Sequence, residues 1–252
     1  MKPVEKEDVK GFWEQEACGE RYGVEQDRLR YELEPEILRF ADFESAAGKR
    51  VLEIGIGMGA DFLRWVRAGA IATGVDLTER AVNLTRQRLA DERLEGVVRV
   101  ADAEDLPFAD AEFDIVYSWG VLHHTPNPPK ALAEVQRVLA PGGQVKLMLY
   151  HRHSWVALAA WARFALLRGK PFQSLGDAVS NIESPGTTAF TAAEVRNLLK
   201  RLRVRVTPKL TVWDRRCAPM AAPLFGNRFG WFLLIEGSSP LPHALGPEAA
   251  AE

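Results

Sequence analysis

From Lys49 onward, short runs of β-branched and aliphatic residues alternate with stretches whose apolar positions recur at helical spacing, the pattern that a parallel sheet with crossover helices imprints on a chain. Residues 50–54 and 71–75 read as the first two strands, with a helix from Ala60 to Ala68 between them that places Phe62, Leu63 and Val66 on one face and stops at Gly69. Thr78 is positioned to cap a helix running through Leu89, and residues 97–100 and 113–117 give strands three and four. Pro128 and Pro129 open a helix through Leu139, and Pro141-Gly-Gly turns the chain into a fifth strand, Gln144 to Tyr150, apolar enough to be buried on both faces. Further on, Thr191 is placed to cap a helix through Leu202, and residues 204–212 and 228–236 read as two last strands.

The flanks differ from this core. Residues 1–48 carry 13 acidic and 7 basic side chains among helix-compatible segments and read as a helical N-terminal flap. Residues 49–238 form the main domain, with about 151–190 as a lid inserted after strand five, and 239–252 read as a frayed tail. Trp155 to Leu167 is apolar apart from Arg163, but its 13 residues fall short of the ~20 needed to span a bilayer, so it reads as a buried or lid helix.

Composition narrows the partners. With 32 Lys+Arg against 34 Asp+Glu the formal net charge is −2, so no global field draws the chain to nucleic acid or anionic lipid, and neither partner is expected; a charged partner would need a local patch. The two cysteines, Cys18 and Cys217, make neither a disulfide framework nor a zinc knuckle, and no apolar leader follows the charged first residues, so a cytoplasmic location is expected.

The chemistry gathers where strands end. Glu53-Ile-Gly-Ile-Gly-Met-Gly joins the first strand directly to the first helix of the core, and Gly55, Gly57 and Gly59 let a ligand approach backbone that a Cβ would screen. Alone, the loop also satisfies the G-x-G-x-x-G/A pattern of dinucleotide-binding folds through Gly55, Gly57 and Ala60. Asp76 lies 21 residues after Gly55, at the end of the second strand, where a carboxylate can accept bonds from both hydroxyls of a ribose or can cap the next helix. Asp102, after the third strand, can take a bond from an adenine amino group or sit in a solvated turn. Glu53 discriminates most: a carboxylate at the buried end of a strand is costly without a cation or donors, and an aminoacyl ammonium supplies one. A nicotinamide cofactor does not need it.

These motifs together, Val51-Leu-Glu-Ile-Gly-Ile-Gly-Met-Gly, Gly74-Val-Asp, Ala101-Asp-Ala-Glu-Asp-Leu-Pro-Phe, Phe113-Asp-Ile-Val-Tyr-Ser, Val121-Leu-His-His and Arg137-Val-Leu-Ala-Pro-Gly-Gly, resemble those of class I S-adenosylmethionine-dependent methyltransferases of the small-molecule type. The resemblance is strong over residues 48–150 and weak over the last strands. It implies a doubly wound α/β fold with a mostly parallel seven-stranded sheet, order 3-2-1-4-5-7-6, the last strand antiparallel. It further implies S-adenosylmethionine as cofactor, with Glu53 and residues 55–59 facing the methionyl part, Asp76 and Leu77 the ribose and adenine, Asp102 and Ala103 the adenine, and Ser118 the amino group.

Methyl transfer from a sulfonium is a displacement on an already activated carbon, so alignment, which supplies ~7–11 kcal/mol, outranks a general base at about 10²–10⁴-fold. Candidate bases are His123 and His124, after the fourth strand, and in similar O-methylating enzymes a His pair here can serve; the alternative is that one braces the loop. The pair favours O-methylation of a small organic acceptor over N- or S-methylation. Trp13, Tyr22, Trp119 and Tyr150 are candidates for the acceptor pocket, with His151 and Arg152 on the same rim; Trp155, Arg215 and Arg216 are further candidates. His151-x-His153 has no carboxylate or Cys near it in sequence, and no metal site is expected. Residues 196–216 hold eight basic side chains against one acid; a solvated helix face and edge strand account for them, with an RNA-modifying role as the alternative, beside a nicotinamide-dependent oxidoreductase. Ser184-Pro-Gly-Thr-Thr is a turn whose backbone N–H groups can cradle an anion, or a plain loop.

Overall fold

The computed structural model describes residues 4–20 and 25–241. Three helices, α1 (Lys6–Gln15), α2 (Gln26–Leu33) and α3 (Glu36–Ala41), precede the sheet. The core follows as β1 (Arg50–Ile54), α4 (Ala60–Arg67), β2 (Ile71–Asp76), α5 (Glu79–Asp91), β3 (Val97–Val100), β4 (Phe113–Trp119), α6 (Pro128–Val138) and β5 (Leu139–Tyr150). Beyond it come α7 (Trp155–Phe164), α8 (Leu175–Val179), α9 (Ala192–Leu198), β6 (Arg203–Lys209), α10 (Val212–Cys217), α11 (Ala221–Phe225) and β7 (Phe232–Ser238).

The seven strands form one sheet in the order β3-β2-β1-β4-β5-β7-β6, parallel except for β7, which runs antiparallel to both β5 and β6. Strand alternation splits the core into two layers. On β1 and β4, Val51, Ile115, Tyr117 and Trp119 face the layer of α3, α4 and α5, whereas Leu52, Ile54 and Val116 face the layer of α6 and α9. Helix starts follow their side-chain caps: Thr78, Asn127, Ser154, Thr191 and Thr211 each accept a backbone N–H of the first turn.

Among the strands and the helix capped by Thr191, four boundaries move by three residues or more. Strand β5 begins at Leu139, because an irregularity in its pairing with β4 between Phe113 and Ile115 absorbs Pro141-Gly-Gly within the strand. The helix capped by Thr191 ends at Leu198, four residues early. The strand expected over 204–212 stops at Lys209, since Thr211 caps α10 and its N3 residue Asp214 returns the bond. The strand expected from Arg228 begins at Phe232, after a 3-10 turn over Gly226–Phe229. Strand β6 is a sheet edge, which accounts for the exposed Arg203 and Arg205 of the basic stretch. Of the expected tail, Ser239 still donates its N–H to Gly143; residues 242–252 lie outside the described part.

Candidate functional site

A cavity opens at the carboxyl ends of β1, β2 and β4, the place where ligands bind in open α/β sheets. Glu53, Gly55, Gly57, Asp76, Leu77, Asp102 and Ala103 line its floor, Trp119, Tyr150 and His124 its far wall, and Lys6, Val9 and Trp13 of α1 its roof. The glycine loop is drawn against β2: Gly55 and Ile56 donate their N–H groups to the Val75 carbonyl, at 2.7 and 3.2 Å. Gly55 has φ +82°, and a Cβ there would lie 2.2 Å from a Val121 methyl, so both its conformation and its neighbours demand glycine.

Asp76 is partly committed within the chain. Its Oδ1 accepts from the Thr78 N–H and hydroxyl, at 3.0 and 2.8 Å, and its Oδ2 from the Gly57 N–H at 3.1 Å. Three of about four acceptor directions are therefore filled, and the helix cap is Thr78, not Asp76. Burial raises the Asp76 pKa, against those donors. Asp102 takes the Lys6 ammonium on Oδ2 and the Glu104 N–H on Oδ1, so α1 is tied to the same carboxylate that faces the cavity.

Glu53 is buried, and its Oε2 has no hydrogen-bond partner among the described residues. Desolvation first, then the nearby Asp61 carboxylate, pushes its pKa well up. A carboxylate so placed is a receptor for a cation entering the cavity.

Next to it lies a buried cluster that spacing in the sequence did not reveal. Asp61, in the first turn of α4, accepts a two-pronged Arg30 guanidinium at 3.1 and 2.6 Å, together with the hydroxyls of Tyr31 at 2.9 Å and Tyr117 at 2.8 Å. Burial works against its charge, and the Arg30 guanidinium with these donors holds the Asp61 pKa below the usual carboxylate value. Glu34, beyond α2, accepts from the Trp119 indole at 2.7 Å. Both contacts pin the N-terminal helices onto the sheet. The only hint in the sequence was the acid-rich, aromatic-containing flap.

On the far wall, the Ser184-Pro-Gly-Thr-Thr turn grips His124 with side chains. Nδ1 lies 2.8 Å from Ser184 Oγ and 3.0 Å from Thr187 Oγ1, and Thr187 spends its own hydrogen on the Ser184 carbonyl. Thr187 can then only accept, and two tautomers fit: with the hydrogen on Nδ1 the ring donates to a hydroxyl and Nε2 carries a lone pair, whereas with it on Nε2 the Ser184 hydroxyl donates to Nδ1 and Nε2 lies 3.5 Å from Glu183 Oε2. Tyr150 donates its hydroxyl to Glu183 at 2.8 Å, and the Trp13 ring meets the His124 ring edge-on at 5.5 Å. Burial lowers the His124 pKa, against the pull of Glu183.

A methyltransferase-domain family model matches residues 52–147, which run from β1 to β5 and contain this floor. Residues 52–147 thus form a methyltransferase domain of the S-adenosylmethionine-dependent kind. It is 37% identical over 106 residues to 27-O-demethylrifamycin SV methyltransferase of Amycolatopsis mediterranei, covering 40% of this chain and 38% of that one. To a ubiquinone biosynthesis O-methyltransferase of Aromatoleum aromaticum it is 36% identical over 125 residues, 49% of this chain and 53% of that one. The chain thus spans about half the length of these curated relatives or less. A solved methyltransferase dependent on the same cofactor, from Aquifex aeolicus, shares the fold at a TM-score of 0.55 with 17% identity, over 83% of this chain and 92% of that one.

The cofactor of such a domain is S-adenosylmethionine, and the methyltransferase floor fits it: an orphaned buried carboxylate oxygen on Glu53 for an ammonium, exposed backbone in the glycine loop, and carboxylates after β2 and β3. Several expected contacts fall elsewhere. Ser118 is fully buried and donates its hydroxyl to the Ile54 carbonyl, so it ties β4 to β1 and does not line the cavity. Gly59, at φ +78°, starts α4 against Thr85 behind the loop. His123 is fully buried, its ring tilted against that of Tyr150 with centroids 3.8 Å apart, and neither ring nitrogen is bonded among the described residues. Strand alternation turns His151 away from Tyr150, so its Nδ1 contacts the Gly230 carbonyl; Arg152 donates to Ala189 and Glu194. Trp155 packs on Phe225 and Phe229 instead of the cavity. Tyr22 lies outside the described residues.

Proposed function

We propose that this chain methylates a hydroxyl of a small, largely apolar organic acceptor. Bound S-adenosylmethionine supplies an electrophilic methyl on a sulfonium; everything else required is positioning, exclusion of water and disposal of one proton. The observation that carries the reading is the His124 arrangement: Ser184 and Thr187 fix a ring that lines the cavity, with the Glu183 carboxylate 3.5 Å from its Nε2. A ring kept neutral by burial accepts the hydroxyl proton at Nε2, and the imidazolium formed is stabilised by Glu183, which Tyr150 holds in place. Asp76, Leu77, Asp102 and Ala103 support a nucleoside, Glu53 the ammonium, and Trp13, Trp119 and Tyr150 bound the acceptor side. The names of the two relatives given above, both O-methylating enzymes, agree with oxygen as the acceptor atom.

The test is a metabolite-extract screen with isotopically labelled methyl donor. Label appearing on a phenolic or alcoholic oxygen supports the reading, and label on nitrogen or sulfur only would replace it.

A further inference from the structure

Outside the cavity, one face of the molecule departs from the surface norm. Helix α7 packs against α8 and α10, α10 against α11, and Trp155 of α7 meets Phe225 and Phe229 at 5.8 and 5.7 Å, so these elements form one continuous body. From it Phe172 projects 100% exposed, Met220 85%, Leu224 83% and Leu167 80%. The same segments, 155–173 and 211–230, contain six cations, Arg163, Arg168, Lys170, Arg215, Arg216 and Arg228, all exposed. Their one acid, Asp214, is buried and accepts from the Thr211 and Trp231 N–H groups, and α8 adds one exposed acid, Asp177. None of the six cations is ion-paired among the described residues; four instead lie over rings, Arg163 and Arg168 over Phe164, Arg216 over Trp213 and Arg228 over Phe229. In the segment read from the sequence as a buried or lid helix, Ala157 and Ala160 are buried and Leu158, Leu166 and Leu167 are exposed.

We propose that this face docks on the surface of an anionic lipid bilayer. Large apolar tips set among unpaired cations suit the headgroup boundary, where the tips enter the acyl layer and the cations meet lipid phosphates. Other occupants suit it less. A second copy of this chain would bring six cations onto six, and a nucleic acid would leave Leu167, Met220 and Leu224 with nothing to contact. No helix among the described residues is long and apolar enough to cross a membrane, so the contact is peripheral. Helix α8 continues into the loop carrying Glu183, which places the face beside the acceptor wall of the cavity, and the docking itself is independent of which acceptor is methylated.

The experiment is co-sedimentation of the full chain with vesicles of phosphatidylcholine alone or mixed with phosphatidylglycerol, at low and high salt. Binding is expected only to the anionic vesicles and is expected to fall as salt screens the cations. The pair Arg168→Ala and Lys170→Ala should weaken it at least tenfold, given roughly fivefold per cation near a charged surface, and Phe172→Glu with Leu167→Glu should abolish it. Arg201→Ala with Arg203→Ala, on the other basic segment, should leave it unchanged, and thermal midpoints show that each variant folds. Equal binding by all variants, failure to bind anionic vesicles, or sedimentation velocity showing that the glutamate variants split a dimer would each overturn the proposal.

Discussion

Lys6 of α1 donates its ammonium to Asp102, the carboxylate that follows β3 on the cavity floor. A residue from the roof is thereby latched to a residue of the floor, and Glu104 lies within 3.4 Å of the same ammonium. Val9 and Trp13 of the same helix also line the cavity, so the latch holds the helix that covers it. The pair is partly exposed, so it contributes no more than the ~0.2–1 kcal/mol of a surface ion pair. Lys6→Met should therefore speed cofactor dissociation by about two- to fivefold in stopped-flow measurements, and high salt should produce the same change in the parent and none in the variant.

The Asp61 cluster predicts a larger effect. Removing the carboxylate strands a guanidinium and two phenols in the interior, and breaking one partner of a buried pair costs about 3–5 kcal/mol. Asp61→Ala should lower the urea midpoint accordingly, whereas Arg30→Met with Asp61→Leu should recover much of the loss. A double variant as unstable as Asp61→Ala would show that packing, not the stranded charge, sets the cost.

The sheet was legible because its signals are local: β1 to β5 announce themselves by composition, and the caps at Thr78 and Thr191 stand where the helices start. Floor residues such as Glu53, Asp76 and Asp102 were legible for the same reason, each being a carboxylate at a strand end. What was hidden depends on contacts across long stretches of chain. Arg30 meets Asp61 31 residues away, Ser184 reaches His124 across 60, and Lys6 reaches Asp102 across 96. The turn at 184–188 read as a backbone nest or a plain loop, yet two hydroxyls hold the imidazole. His123 and His124 are adjacent in sequence and were indistinguishable there; a single 3-10 turn, Leu122–His124, sends one to the cavity and the other into the core.

For His124 the proposed role fixes a pH signature. The proton acceptor must be neutral, and burial sets its pKa below the ordinary 6.5, so turnover should be flat above 6.5 and fall only as acid titrates the lowered group. His124→Phe should lose about 10²–10⁴-fold in kcat with cofactor affinity retained. Glu183→Gln removes the stabilising charge, and should move the acid limb of the kcat profile to still lower pH while reducing kcat. A profile unmoved by Glu183→Gln would detach that carboxylate from the proton path.

Asp76 is both floor and scaffold. Asp76→Ala leaves the Gly57 and Thr78 N–H groups without their acceptor, in addition to removing the bond offered to a ribose. Cofactor affinity measured by calorimetry should drop by roughly 1–3 kcal/mol, and the unfolding free energy should drop as well, by about 1–3 kcal/mol for each backbone donor left buried. An affinity loss without any change in stability would mean that the glycine loop does not depend on this carboxylate.

His123 gives the sharpest stability test, because the core charges it reluctantly. Desolvation, reinforced by His124, holds its pKa well below 6.5, and neither ring nitrogen has a partner among the described residues. In the unfolded chain the ring protonates near 6.5, whereas the folded chain keeps it neutral, so the unfolded state binds more protons below that pH. The stability it allows is complete above pH 6.5 and declines as pH falls from there toward the lowered folded value, with a limiting slope of about 1.4 kcal/mol per pH unit. His123→Phe keeps a ring against Tyr150 and removes the proton site. Its unfolding free energy should match or exceed that of the parent at pH 7.5, and the gap should widen between pH 6.5 and 5; the comparison cancels the opposing contribution of Glu53, whose raised pKa favours the folded state as acid is added. Parallel curves for the two proteins in urea titrations would mean that His123 takes up its proton in the fold as readily as in the unfolded chain.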